Sequence, residues 1–267
     1  MKKIISIFLA LYLVIVSAIS VFAGGEGMSR TIFGNDDRYT VTSTSGKNLS
    51  IAKLKITYND GSVGYGTGFL LSSTKVATAG HCLSIEKSNG TVKTATKVVL
   101  YFGCSGTNSN HTYSGSRTVN CTSSNTITSS NWDGSLSNSD YDYGVIILPT
   151  AFNNNGNYFT LSTNSNPTGI NASIIGYEHH LLNTDFSNWQ LLRGDGTISG
   201  YTSYKLETHI DALQGQSGSP VINSSGNVIG IFTYGANDGS NFLGDDSSYL
   251  NKATRITDDV ISFYNNH

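Results

Sequence analysis

Residues 52–58 read Ala52-Lys53-Leu54-Lys55-Ile56-Thr57-Tyr58, and apolar side chains alternate with polar ones throughout. The apolar members share one face of an extended chain, while Lys53, Lys55 and Thr57 share the other. A period of two predicts a half-buried β-strand. Other short runs bounded by Gly, Ser and Asn are predicted as further strands: 67–71, 75–79, 97–102, 143–148, 172–176, 197–201, 204–210, 220–222 and 228–234. Many short strands separated by turn residues indicate an all-β protein, either a sandwich or a barrel.

The composition of the 267-residue chain is that of a folded protein. Hydrophobic residues make up 38% and aromatic residues 10%, which is enough for a core and excludes a disordered chain. The formal net charge is −2 at pH 7, so no basic surface is available for broad nucleic-acid binding. The 3 cysteines are too few for a disulfide scaffold.

The N-terminus has the regions of a secretory signal peptide. Lys2 and Lys3 precede the apolar stretch 4–16, and residues 21–23 supply the cleavage position. An apolar stretch of this length is too short to span a bilayer. We therefore predict cleavage after Ala23, a secreted extracellular protein, and no stable membrane association afterwards. About 240 residues then remain, which is large for one small barrel, so two barrels are expected.

Two further features organise the mature chain. A stretch from Pro149 to Pro167, rich in Asn, Gly, Ser and Thr, predicts a surface connection between two halves. Thr257 is a good N-cap for a C-terminal helix. We therefore predict a signal peptide at 1–23, a short propeptide at 24–30, an N-terminal barrel at 31–150, and a C-terminal barrel with a terminal helix at 151–267.

Three residue types that together support nucleophilic catalysis occur in order along this chain. His81 directly follows a predicted strand, Asp142 directly precedes one, and Ser217 lies in Gly215-Gln216-Ser217-Gly218-Ser219-Pro220. A serine hydroxyl needs an adjacent base, and histidine can take its proton near neutral pH. A buried carboxylate fixes the imidazole tautomer, and the N–H groups of Gly215 and Ser217 can bind a developing oxyanion. A serine between glycines is usually only a turn, so the hypothesis depends on all three motifs together.

These motifs resemble the bacterial glutamyl endopeptidase family of chymotrypsin-fold serine proteases. The matching segments are 78–82, 141–145, 215–221 and 253–256, with a weaker match at 32–38. The resemblance implies two antiparallel six-stranded β-barrels, of the chymotrypsin or trypsin type, with a C-terminal α-helix. It also implies a secreted serine endopeptidase that hydrolyses protein or peptide substrates through an acyl-enzyme intermediate. No cofactor or catalytic metal is expected, and a monomer is the default.

Carried over residue by residue, the resemblance assigns four catalytic residues. His81 is the general base, Asp142 its orienting partner and Ser217 the nucleophile, while Gly215 completes the oxyanion hole. Asp140 is a rival carboxylate, because residues two apart point the same way on an extended backbone. We prefer Asp142, which sits where the family motif has its aspartate.

The sequence departs from the family in the substrate-binding pocket, which the resemblance assigns to Asp211, Phe232, Thr233 and Gly235. Phe232 stands where glutamate-specific relatives commonly place a histidine, and Ala212 replaces a commonly hydroxylated residue. Asp211 lies six residues before the nucleophile, the spacing at which trypsin-like enzymes hold the aspartate that pairs with Arg or Lys. A retained acidic preference, a basic preference, and an apolar or broad preference therefore all stay open.

The N-terminal segment suggests a zymogen. Cleavage after Arg30 would leave Thr31 as the mature N-terminus, and a freed N-terminus can help to shape the pocket in such enzymes. This hypothesis rests on the position of Arg30 and on the match at 32–38.

The cysteines and the remaining histidines give weaker expectations. Of the three pairings that the cysteines allow, we prefer Cys104 with Cys121, which leaves Cys82 as a free buried thiol. In the run 204–210, Lys205 and His209 share the polar face, so His209 is expected to face water. His179 and His180 lie in a predicted loop and are not expected to hold a metal.

Two readings compete with an active protease. The first is a catalytically silent or highly restricted relative that acts as a binding protein or toxin through the same fold. The second is a secreted β adhesin, which the Ser, Thr and Asn content fits but which does not predict the three motifs in order.

Overall fold

The computed structural model describes residues 31–43, 45–104, 117–179, 190–235, 242–243 (backbone only) and 250–267. The predicted signal peptide and propeptide lie outside these residues. Two short strands open the described chain: β1 (Thr31–Ile32) and β2 (Tyr39–Thr40). Short 3₁₀ helices lie at Gly46–Ser50, Ser123–Asn125 and Leu136–Tyr141.

The first sheet is built from the N-terminal half of the chain. Its strands are β3 (Ile51–Tyr58), β4 (Val63–Leu70), β5 (Lys75–Thr78), β6 (Ser84–Glu86), β7 (Val92–Phe102), β8 (Arg117–Thr122), β9 (Thr126–Thr128) and β10 (Gly144–Ile147). They pair in the order β6-β7-β3-β4-β5-β10-β9, and β8 pairs with β7. Because the 3₁₀ helix Ser123–Asn125 joins β8 directly to β9, these two short strands together link β7 to β10. The ring therefore has six members, and β6 extends its edge.

The second sheet closes in the same way. Its strands are β11 (Asn171–Tyr177), β12 (Leu191–Tyr201), β13 (Lys205–Thr208), β14 (Pro220–Asn223), β15 (Val228–Tyr234) and β17 (Asn251–Arg255). They pair in the order β11-β14-β15-β17-β13-β12, and β11 also pairs with β12. The N-terminal β2 adds to the outside of β12, and β16 (Phe242–Leu243) pairs in parallel with β1.

Three clusters of apolar side chains hold the fold together. One fills the first barrel around Leu54, Val98 and Leu100, and another fills the second around Ile174 and Val221. The third joins the barrels and includes residues from both, such as Phe69 and Ile231. Alternate strand positions supply these clusters because successive side chains point to opposite faces of a sheet.

The C-terminal helix is confirmed. Helix α2 spans Asp258–Asn266, and the Thr257 side chain accepts a hydrogen bond from the Val260 N–H. This bond satisfies one of the free N–H groups of the first turn. Val260 and Tyr264 are buried against the cluster between the barrels. The other helix, α1, is a single turn at Gly80–Leu83.

The polar faces of two strands are not exposed as the alternation predicts. Lys53 is 1% exposed and Lys205 is 4% exposed. Lys53 Nζ donates to the Glu178 carbonyl oxygen at 2.8 Å, and Lys205 Nζ donates to the Ser139 carbonyl oxygen. Each lysine thus contacts the opposite half of the chain, because the outer face of its strand is covered there.

The preferred disulfide is wrong. All three cysteines are buried, and none of them forms a disulfide. Cys121 pairs across the ladder with Val98, whereas Cys104 lies beyond Phe102, at the far end of the same strand. At roughly 3.3 Å per residue, this separation exceeds the distance that a disulfide can span.

No helix in the described part of the chain is long and apolar enough to cross a membrane.

Candidate active site

Strands β5 and β10 bring two of the predicted residues to one end of the first barrel. The strands are antiparallel neighbours, and Thr78 pairs with Gly144. His81 follows Thr78 by three residues, and Asp142 precedes Gly144 by two. The strand pairing therefore places both side chains at the same edge of the sheet.

Asp142 binds His81 through both carboxylate oxygens. Oδ1 accepts the His81 backbone N–H at 2.8 Å, and Oδ2 lies 2.7 Å from His81 Nδ1. Both side chains have 0% exposure. Because an ionised carboxylate can only accept, Nδ1 is the donor, and the neutral ring carries its lone pair on Nε2. Asp142, rather than Asp140, is the carboxylate that the fold delivers to His81.

Each partner shifts the other's ionisation. Burial is the largest single influence and lowers the pKa of His81, but the charge and hydrogen bond of Asp142, together with the contribution of Cys82, outweigh it and raise that pKa above its ordinary value. Burial alone would raise the pKa of Asp142, but His81 and the Lys205 cation hold it below its ordinary value. The pair therefore favours the charged form of both groups.

The serine loop packs on the segment that carries His81. The Thr67 N–H donates to the Ser217 carbonyl oxygen at 2.8 Å, and Cys82 Sγ lies 3.8 Å from the same oxygen. Gly218 has a φ of +85°, and a Cβ there would lie 2.1 Å from the Thr67 carbonyl oxygen. Only glycine fits this conformation and this space. The Ser217 backbone thus lies beside the residue that follows His81.

Ser217 and Thr233 are in direct contact. Ser217 is fully buried, and its Oγ donates to the Thr233 carbonyl oxygen at 3.3 Å. Thr233 is itself fully buried, and its Oγ1 donates to the Lys252 carbonyl oxygen at 3.1 Å. Gly235, also buried, follows the end of β15. Thr233, one of the residues assigned to the pocket, therefore contacts the predicted nucleophile.

Gly215 lies in a tight turn before the serine. Its φ is +90°, and its carbonyl oxygen accepts a hydrogen bond from Thr67 Oγ1 at 2.9 Å. The Gln216 N–H donates to the Leu213 carbonyl oxygen at 3.1 Å, which closes the turn.

Asp211 is bound by the N-terminal segment. Its Oδ1 accepts the Phe33 N–H at 2.7 Å, and its Oδ2 accepts the Asp37 N–H at 3.2 Å. Asp211 is 4% exposed, and burial raises its pKa. The Ala212 N–H also donates to the Thr31 carbonyl oxygen, at 3.2 Å. Both oxygens of this carboxylate therefore hold residues 31–37 against the second barrel.

Phe232 lies in the core of the second barrel. It is fully buried and belongs to the same apolar cluster as Ala212 and Ala253. Its N–H and carbonyl groups are paired with Ser219 and Gly218. The structure thus gives Phe232 the packing of a core residue.

The other predicted histidines make contacts of their own. His209 is exposed, as expected, and its Nδ1 lies 2.9 Å from Ser199 Oγ. His179 stacks on Tyr65 with ring centroids 4.1 Å apart, while His180 lies outside the described residues. Among the residues that the structure describes, no group of three His, Cys, Asp or Glu could hold a metal ion.

Two residues behind Asp142 were not among the predicted site residues. Thr254 Oγ1 donates to the Asp142 carbonyl oxygen at 3.0 Å. Lys205 Nζ donates to Thr254 Oγ1 at 3.3 Å and to the Ser139 carbonyl oxygen. Thr254 lies in the family-like segment 253–256, so its place in that match was the one available signal.

Comparison with known proteins identifies the family of this chain. Residues 66–231 match the trypsin-like peptidase domain. The chain is 31% identical to a glutamyl endopeptidase of Bacillus licheniformis over 240 residues, which cover 86% of this chain and 67% of that protein. It is 30% identical over 242 residues to a Bacillus subtilis protein named extracellular metalloprotease, covering 87% of this chain and 68% of the relative.

A solved structure has the same fold. It is that of a Glu endopeptidase in complex with MPD, and it superposes with a TM-score of 0.70 at 22% identity, covering 88% of this chain and 98% of that one. The chain therefore belongs to the trypsin-like peptidase family. Within this family it is a serine endopeptidase related to the bacterial glutamyl endopeptidases, and its substrates are proteins or peptides. The predicted resemblance and the two-barrel fold are thereby confirmed.

Proposed function

We propose that the protein is a secreted endopeptidase that cleaves peptide bonds through an acyl-enzyme formed on Ser217. His81 is the general base and acid, and Asp142 orients it. The N–H groups of Gly215 and Ser217 form the oxyanion hole. The observation that carries this proposal is the fully buried His81–Asp142 pair, bonded at 2.7 Å and 2.8 Å, beside the Ser217 loop.

The geometry supports a defined sequence of proton transfers. Ser217 Oγ attacks the scissile carbonyl carbon while His81 Nε2 takes the hydroxyl proton. The negative charge on the tetrahedral oxygen is bound by the two N–H groups. His81 then gives its proton to the leaving amine, and an acyl-enzyme remains. A water molecule, deprotonated by His81 in turn, hydrolyses the ester and restores Ser217.

We propose an apolar or broad preference at the residue before the cleaved bond. None of the residues assigned to the pocket (Asp211, Phe232, Thr233, Gly235) carries a positive charge that could meet a glutamate side chain. The Asp211 carboxylate is occupied by two backbone N–H groups, which opposes pairing with substrate Arg or Lys. A screen of peptides that vary only at this residue tests the preference. Preferential cleavage after Glu, or after Arg and Lys, would contradict it.

The processing and organisation of the chain are also proposals. We propose removal of 1–23 as a signal peptide and of 24–30 as a propeptide, a barrel boundary near 150/151, and a monomeric secreted product. N-terminal sequencing of the active protein from culture medium tests the processing. An active form that begins at Gly24 would overturn the propeptide.

A fluorophosphonate probe tests the nucleophile directly. We expect the probe to label the wild-type protein at Ser217, as mapped by mass spectrometry, and Ser217→Ala to abolish both labelling and peptide hydrolysis. Ser219→Ala is the matched control. Ser219 is also fully buried, and its Oγ has no hydrogen-bond partner among the described residues, so its loss should leave hydrolysis nearly unchanged. Correctly processed wild type that is not labelled would favour the catalytically silent alternative.

A further inference from the structure

The turn that carries the predicted oxyanion hole has a definite type. Residues 213–216 are closed by the hydrogen bond from the Gln216 N–H to the Leu213 carbonyl oxygen at 3.1 Å. Gly215, at the third position, has a φ of +90°, whereas Gln214 is not among the described residues with positive φ. A positive φ at the third position alone defines a type II turn.

The central peptide of this turn is held in one orientation. The His179 N–H donates to the Gln214 carbonyl oxygen at 2.7 Å. Because a trans peptide is planar, its C=O and N–H groups point in opposite directions. The Gly215 N–H is therefore directed away from His179. Reversing this peptide would break the bond and set two N–H donors against each other.

Arg38 joins the two segments that form this contact. Its Nη1 donates to Gln216 Oε1 at 2.7 Å, and its Nη2 donates to Glu178 Oε2 at 3.0 Å. Gln216 lies between the two predicted oxyanion donors, and Glu178 precedes His179. The Arg38 side chain is 3% exposed, so these charge-assisted bonds are shielded from water.

Arg38 is in turn fixed by its own segment. Asp36 accepts from Arg38 Nε at 2.8 Å and from Nη2 at 2.7 Å. The neighbouring Asp37 N–H is bound by Asp211 at 3.2 Å. The bonds to Asp36 therefore fix the orientation of the planar guanidinium toward the turn. A flexible lysine side chain would not reproduce this orientation.

We propose that Arg38 is a positioning residue for the oxyanion hole: by clamping Glu178 to Gln216, it holds His179 where its N–H fixes the orientation of the Gly215 peptide. This inference rests on the proposed function of Gly215 and Ser217. It makes the N-terminal segment 31–38 a part of the catalytic apparatus, although none of its residues contacts the reacting atoms.

The test compares Arg38→Met with Arg193→Met. Arg193 also bonds an aspartate, Asp195 at 2.8 Å, but it lies on β12, and among the described residues its side-chain hydrogen bonds go to Asp195 and Ser173 rather than to the turn. Losing one oxyanion donor lowers kcat by roughly 10²–10³-fold. Since Arg38→Met displaces a donor without deleting it, we expect kcat to fall roughly 10–100-fold with little change in KM. Arg193→Met should match the wild type.

Inhibitor affinity separates positioning from simple destabilisation. A peptide boronate places a tetrahedral oxygen in the oxyanion hole, whereas the corresponding product peptide does not. We expect Arg38→Met to weaken boronate binding in proportion to kcat and to leave product binding unchanged. Rates are normalised to the fraction labelled by the fluorophosphonate. Glu178→Gln keeps the shape of the side chain but removes its charge. We expect it to weaken boronate binding less than Arg38→Met does, and it replaces Arg38→Met in the test if that variant does not fold.

The outcomes distinguish the two proposals. If the wild-type protein were neither labelled by the probe nor active on peptides, the proposed function itself would be wrong. An active wild type in which Arg38→Met and Glu178→Gln bind boronate as tightly as Arg193→Met would overturn the role of Arg38 alone. Equal losses of boronate and product affinity would also overturn it, because they would show a general structural effect.

Discussion

Lys205 reaches Asp142 through a single hydroxyl: Lys205 Nζ donates to Thr254 Oγ1 at 3.3 Å, and Thr254 Oγ1 donates to the Asp142 carbonyl oxygen at 3.0 Å. The same ammonium group donates to the Ser139 carbonyl oxygen, at the last turn before Asp142, and lies 5.1 Å from the Tyr234 ring centroid. Behind the predicted catalytic carboxylate there is thus a buried cation from the second barrel.

Replacing this cation should shift the pH dependence of hydrolysis. Burial lowers the pKa of Lys205 to about 8, so the group is largely charged at neutral pH; Asp142 and Asp140 oppose the shift, and Lys252 adds to it. In Lys205→Met, the negative charge of Asp142 is less compensated and stabilises protonated His81 more. We expect the acid limb of the kcat/KM profile to move to higher pH by a few tenths of a unit, ~0.5 kcal/mol.

A second buried lysine provides the control for this prediction. Lys93 is 3% exposed and lies 4.5 Å from the Tyr58 ring centroid, in the first barrel. Lys93→Met removes a buried cation of the same kind without touching the Asp142 segment. If the two variants lose stability alike and keep superimposable pH profiles, Lys205 has only a structural role.

The raised pKa of His81 predicts an alkaline activity profile. The imidazole must lose its proton to act as a base, and Asp142 raises the pKa at which it does so. The acid limb of kcat/KM should therefore lie above the unperturbed value of about 6.5. The same shift stabilises the fold fully below that value, and this contribution is lost as pH rises through the raised pKa. A pH titration of kcat/KM measures the limb directly, and maximal activity at pH 4 would contradict the assignment of His81.

Asp142→Asn tests the cause of that shift. Without the negative charge, burial dominates, and the pKa of His81 should fall. The wrong tautomer is also favoured, and in the serine-protease template this change costs about 10⁴ in kcat. We expect both a loss of that size and residual activity that extends to lower pH. Asp140→Asn is the control, since it removes the rival carboxylate and should keep the wild-type profile.

The sequence predicted the elements that depend on local pattern. The alternation in 52–58, the short bounded run 228–234 and the N-cap at Thr257 all correspond to observed elements, because such signals are properties of adjacent residues. Lys53 and Lys205 were placed on polar faces, yet both are buried. Both lysines are buried because one half of the chain covers a strand of the other half. A contact between distant parts of the chain cannot be read from a short segment of sequence.

Contacts between distant parts of the chain also explain the other differences between prediction and structure. Asp211 has the spacing of a specificity aspartate, but its partners are Phe33 and Asp37, more than 170 residues away. The Cys104–Cys121 pairing failed because the strand register, rather than the sequence separation, sets the distance between the two thiols. The order of the motifs was sufficient to predict that His81 and Asp142 are partners, whereas the burial of this pair and the residues behind it could be seen only in the fold.

Gly66 offers a site for a new disulfide. A Cβ built there lies 3.8 Å from Cys82 Cβ and 2.7 Å from Cys82 Sγ, and disulfides have a mean Cβ–Cβ distance of about 3.8 Å. We expect Gly66→Cys to bond Cys82 and to raise the free energy of unfolding by about 3 kcal/mol, the value for a loop of roughly 15 residues. Thiol titration of the denatured variant should find two free thiols, against three in the wild type.

Gly66→Ser is the matched control for that bridge. It sets a similar side chain against Cys82 Sγ without the possibility of a bond, so it should be less stable than the wild type. The stabilisation of Gly66→Cys should also vanish in reductant. Four free thiols in oxidised Gly66→Cys would show that no bridge forms and that the two β-carbons are farther apart than the structure has them.

The turn at Gly215 can be tested by separating backbone strain from steric fit. Gly215 and Gly226 both have positive φ, at +90° and +74°. A Cβ at Gly215 would lie 2.4 Å from the His179 nitrogen, whereas at Gly226 the nearest atom is Lys47 Nζ at 3.9 Å. Alanine at either position carries the left-handed strain of roughly 1–2 kcal/mol, but only at Gly215 must it also displace the segment that orients the oxyanion peptide. We expect Gly226→Ala to lose only the stability that this strain costs and Gly215→Ala to lose more in thermal unfolding, and only Gly215→Ala to lose roughly 10²-fold or more in kcat. Full activity of a folded Gly215→Ala would mean that the peptide keeps its orientation without the His179 contact, and the role of this turn would have to be abandoned.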